Sequence, residues 1–215
     1  TKSIPDKKWD YVVLNDQSVR PAIPSKRAIT ARVLNSTYLP LFLECQATPI
    51  LIATYGYWRD NLNVTALYGI QDVPHFTAKL YRGYKVYATT LEMVQARIAP
   101  VGIAFLVVWE ENFALWERFF GTDQYHPSPI GTYLMGCVVH ATIFGQLPEA
   151  PMADTSYYFD TARSMQLASA EAVFPTVEEA LYLRWIAKRV VLDKYRPSSF
   201  RQAWKLVQQE EDEDE

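Results

Sequence analysis

Apolar residues recur along most of this chain at spacings of three and four, the period of a helix with one buried face. Leu80, Tyr84, Tyr87, Leu91, Val94 and Ile98 step by 4, 3, 4, 3 and 4, and Phe105, Trp109, Phe113, Trp116 and Phe120 by 4, 4, 3 and 4. Helices are therefore expected at 25–37, 40–47, 49–62, 77–98, 101–120, 129–145, 155–172, 176–195 and 198–209. Lys79 to Thr90 has a competing reading as a hairpin, because Tyr and Val suit strands and Gly83 sits inside the run. The unbroken stripe favours helix. Only Trp9 to Leu14 reads as a strand or extended arm, followed by a connection through Pro21 and Pro24.

Prolines punctuate helix starts, where a missing N–H costs nothing. Thr48-Pro49 and Ser128-Pro129 read as N-caps with a first-turn proline, and Ala99-Pro100 and Phe174-Pro175 as similar joints. Thr176 to Glu179 (Thr-Val-Glu-Glu) is a capping box. No repeat of solenoid length is present. The expected architecture is mainly α: a compact bundle of about 8–9 helices with a short extended N-terminal arm. Its parts are an arm at 1–24, one helical domain at 25–209 and an acidic tail at 210–215.

Charge adds one asymmetry. The formal net charge is -3, but Glu210 to Glu215 are all acidic, so the rest of the chain stands at +3. That excess is too small for histone-like binding, although local basic patches remain. Lys26, Arg27 and Arg32 lie near one end and Arg184, Lys188, Arg189, Lys194, Arg196, Arg201 and Lys205 near the other, as candidate contacts for nucleic acid or an acidic partner. Two cysteines among apolar neighbours exclude a disulfide framework and suggest a cytoplasmic or other reducing compartment. Thr1 to Asp10 is polar and does not read as a secretory leader. Ile130 to Leu147 reaches spanning length only marginally and reads as a buried helix, so no membrane span is expected.

Candidate chemistry is sparse. Asp72/His75 and Asp123/His126 share an Asp-x-x-His spacing in which a carboxylate could orient an imidazole as a general base or help hold a metal. Cys137 and His140 share a helix face, but no second Cys/His pair lies near to complete a zinc site. Gly-x-Gly-x-x-Gly, a Walker lysine and Gly-x-Ser-x-Gly are absent. No cofactor, metal or catalytic residue is assigned on these grounds.

Aromatic residues make up 14% of the chain, enough that some faces can be expected to pack on a partner. The leading expectation is a non-enzymatic interaction or assembly subunit, a homo-oligomer packing through Trp9, Tyr11, Phe105, Trp109, Phe113, Trp116 and Phe120. The alternatives are a coat or nucleocapsid-type protein holding RNA or DNA with the basic regions, and a helical enzyme with a His-based site.

Overall fold

The computed structural model describes residues 9–57, 69–149 and 174–214. Strand β1 (Tyr11–Leu14) leads through a short 3-10 turn into α1 (Pro24–Val33), which continues through a π turn into α2 (Leu39–Cys45). Then come β2 (Thr48–Ile52), α3 (Val73–Thr90), β3 (Arg97–Ala99), α4 (Val101–Glu111), α5 (Phe113–Glu117), α6 (Pro129–Phe144), α7 (Val177–Ala187) and α8 (Ser198–Asp214). With α1 and α2 counted as one run there are seven helices among the described residues, near the number expected.

The correction is the sheet. The three strands are parallel in the order β1-β2-β3, Tyr11 to Leu14 opposite Thr48 to Leu51, and Ile50 to Ile52 opposite Arg97 to Ala99. The expected arm is thus its first strand. The expected helix at 49–62 begins instead as β2; its last residues lie outside the described residues, as does the expected helix at 155–172. Pro49 to Ala53 is an unbroken apolar run because a central parallel strand is covered on both faces, and such a run carries no period of two. Ile50 joins the core formed with α4, α6 and α7, while Leu51 joins Leu34, Phe42, Tyr84 and Tyr87 on the other side.

Two helices end earlier than their stripes suggest. α3 stops at Thr90, and Gln95 in the left-handed region (φ 52°) turns the chain into β3, so Val94 and Ile98 continue the spacing but not the helix. The stripe from Phe105 to Phe120 breaks at Asn112 (φ -150°, ψ 75°), whose side chain accepts from the Leu115 N–H at 3.2 Å and caps α5. The other caps form as expected at Ser128 and Thr176, but Thr48 starts a strand. Thr176 Oγ1 accepts from Glu179 N–H (3.2 Å) while Glu179 Oε2 accepts from Thr176 N–H (2.8 Å). Thr176→Ala should cost about 1 kcal/mol, read as a lower denaturation midpoint.

The last helix runs past residue 209 to Asp214 and lies on α3. Trp204 meets Tyr81 edge-on with ring centroids 5.8 Å apart, and Glu210 pairs with Lys79 at 2.7 Å. Glu210 also lies 3.1 Å from Nε2 of the buried His75, whose Nδ1 accepts from Gln71 N–H. Burial holds the His75 pKa below its ordinary 6.5 against the opposing pull of Glu210. Because the unfolded chain then takes up this proton at higher pH than the folded one, stability should fall as pH drops below about 6.5. Thermal melts at neutral and mildly acidic pH test this: the fall should be smaller for His75→Gln.

Candidate active site

Parallel sheets collect ligands outside the carboxyl ends of their strands. Here three segments meet there. Beyond β2 the chain continues through Ala53 to Tyr57, fixed by Ala53 N–H to Ala99 O (3.0 Å) and Gly102 N–H to Ala53 O (2.8 Å). A Cβ on Gly102 would stand 2.3 Å from Thr54 O, so glycine lets α4 start directly against this segment. Tyr55 consequently stacks on Phe105 of α4, centroids 4.4 Å apart and ring planes nearly parallel. Beyond β1, Ser18 (φ 24°) shares a 2.9 Å hydrogen bond with the Tyr57 hydroxyl.

The third segment is the turn between α5 and α6. It is closed by Gly121 N–H to His126 O (2.8 Å) and Ser128 N–H to Phe119 O (2.7 Å), with Gln124 in the left-handed region (φ 54°). The Tyr55 hydroxyl donates to Tyr125 O at 3.2 Å, and the Tyr57 ring meets the Tyr125 ring edge-on at 4.8 Å. Burial above all, with Tyr125, Asp123 and Tyr57 nearby, pushes the Tyr55 pKa up, so its hydroxyl remains a donor. The turn is thereby braced against the carboxyl end of β2.

At its tip, Asp123 Oδ1 accepts from the N–H groups of Tyr125 (3.0 Å) and His126 (2.9 Å), and Oδ2 lies 2.5 Å from His126 Nδ1. The His126 ring and these two amides hold the Asp123 carboxyl down at about 2. An ionised carboxylate on Nδ1 selects the tautomer with the proton there, which leaves Nε2 as the basic nitrogen. Nε2 has no hydrogen bond among the described residues, and the side chain is 73% exposed. The pair is an oriented imidazole with its working edge open.

The other candidate pairs make different contacts. Asp72 Oδ1 caps α3 by accepting from His75 N–H at 2.7 Å. The Cys137 thiol is pushed up to about 11 by burial, and His140 Nδ1 is 3.1 Å from Gln146 O. No group of three or more metal-ligating side chains occurs among the described residues, and no described helix is long and apolar enough to cross a membrane.

The expected interface residues separate. Trp9 is exposed, and Tyr11 packs edge-on against Phe144, which lies at the end of α6. Phe105 and Trp116 are buried, Trp109 and Phe120 half-buried and Phe113 exposed. The last four line a cavity of about 470 Å³ whose wall also includes Gly121 and Gln124 of the histidine turn. Tyr55, Tyr57 and this cavity were not legible as site features, since aromatic spacing alone does not distinguish core from cavity.

Among the basic candidates, Arg189 pairs with Glu111 (2.8 Å), Lys188 with Asp193 (2.7 Å), Arg184 donates to Pro148 O, and Arg196 to Val190 O (3.0 Å). Arg32, Lys194, Arg201 and Lys205 are exposed, and Lys26 and Arg27 half-buried. Much of the expected basic face is thus engaged by its own chain.

No family model and no curated protein matches this chain. Its fold is similar to that of a DUF4886 family protein from Bacteroides uniformis. The two share a TM-score of 0.55 and 17% identity, over 92% of this chain and 68% of that one. At this identity the likeness establishes fold alone.

Proposed function

We propose that the chain is an enzyme of hydrolytic type in which His126 is the general base and Asp123 its orienting carboxylate. The observation that carries this reading is the 2.5 Å contact between His126 Nδ1 and Asp123 Oδ2, with Nε2 left open on a turn braced at the carboxyl end of β2. In the reaction, Nε2 accepts the proton of a water or hydroxyl as its oxygen attacks an acyl carbon, and returns a proton to the departing alkoxide. Asp123 stays ionised throughout and stabilises the imidazolium.

Turnover of short activated esters tests it. The wild-type chain should hydrolyse them, and His126→Ala, an exposed substitution, should lower kcat/KM about 1000-fold or more with an unchanged circular dichroism spectrum. Equal rates in the two proteins, or no turnover by wild type, would contradict the assignment.

A second reading, self-assembly, is supported by the exposure of Ile29, Val33, Leu41 and Leu43 along the α1–α2 run. Light scattering should then show a dimer or larger species. A monomer at high protein concentration would remove that reading.

A further inference from the structure

We infer that the aromatic cavity beside the histidine turn binds an organic cation, a quaternary or substituted ammonium group carried by the substrate. This rests on the hydrolytic reading in taking the occupant to be what His126 acts on. The binding itself stands on the cavity.

Four rings form its walls. Trp116 meets Phe113 at 5.4 Å with planes 29° apart and Phe120 at 5.0 Å with planes 76° apart, and Trp109 completes the group. Four aromatic side chains thus border one space, and a cation is attracted to the negative face of an aromatic ring, most strongly to tryptophan.

Two carboxylates, Asp72 and Glu117, also line the cavity, and no Lys, Arg or His does among the described residues. Asp72 is engaged at the start of α3, where its Oδ1 caps the helix. Glu117 makes no hydrogen bond or ion pair among the described residues. An anion would be repelled here, and an uncharged apolar group would use the rings but gain nothing from Glu117. A cation uses both. At about 470 Å³ the space exceeds what a trimethylammonium head fills, leaving room for an attached chain along Gly121 and Gln124, the side on which the histidine turn begins.

Calorimetric titration with choline and with 3,3-dimethylbutan-1-ol, its uncharged isostere, separates charge from shape. Choline should bind wild type about tenfold more tightly than the alcohol. Glu117→Gln, at an exposed position, should weaken choline about threefold and leave the alcohol unchanged, while Trp109→Leu should weaken both. His126→Ala should bind choline as wild type does, so loss of turnover and loss of binding are read separately. Equal affinities for the two probes, or no choline binding by wild type, would overturn the inference even if ester hydrolysis stands.

Discussion

Alanine at position 83 is expected to destabilise the fold by about 3 kcal/mol or more, because the added methyl meets backbone and not a side chain that can turn aside. A Cβ on Gly83 would stand 2.2 Å from Pro21 O, 2.6 Å from Pro21 C and 2.6 Å from Pro21 Cβ. The glycine therefore lets α3 lie directly against the turn that follows β1. Separating them would disturb Val19, Ala22, Phe76 and Leu80, which form one buried cluster at that contact. For a domain of this size the loss corresponds to a fall in Tm of roughly 6–12 °C, measurable by calorimetry. An alanine variant melting with wild type would mean that the close approach is not needed.

The second large effect is chemical. Asp123→Asn should lower kcat/KM for an ester about 1000-fold, since an amide no longer holds the His126 Nδ1 proton and the basic nitrogen can move to the wrong edge. Asp123 is on an exposed turn, and an asparagine oxygen can still accept from the Tyr125 and His126 amides, so the turn should remain. The two effects thus separate: activity falls while the melt stays near wild type. Because the Asp123 carboxyl is held at about 2, it should leave no mark on the pH–rate profile above pH 4. A fall in rate no larger than the variant's loss of folded protein would assign Asp123 to structure alone.

How much of this was legible in the chain differs element by element. The stripe through Leu80, Tyr84 and Tyr87 names a helix correctly because one face of α3 is buried along its length. The capping box at Thr176 is readable because its bonds join residues three apart. Pro49 to Ala53 does not read as a strand because it is buried on both sides, and burial on both sides erases the alternation that marks one. The break at Asn112 was hidden by rings that keep helical spacing across it.

The site was half legible. Asp123 and His126 are close in sequence and could be paired on paper, but the same spacing at Asp72 and His75 produces only a cap. What tells them apart is tertiary: Tyr55, 68 residues before Asp123, donates to the Tyr125 carbonyl and fixes the second turn at the end of the sheet. No local pattern contains that contact. Of the aromatic residues expected at a subunit interface, Phe105 lies in the core and Trp109, Phe113, Trp116 and Phe120 line a cavity, an arrangement that follows from the bend after Glu111.

The central claim is that Asp123 and His126 act as one catalytic unit, and a double-mutant cycle on ester hydrolysis measures that directly. With kcat/KM determined for wild type, Asp123→Asn, His126→Ala and the double variant, the double variant should be no slower than His126→Ala alone, because the carboxylate has no role once the imidazole is gone. Losses that multiply, each substitution slowing the reaction by the same factor whether or not the other is present, would show two independent residues and contradict the account.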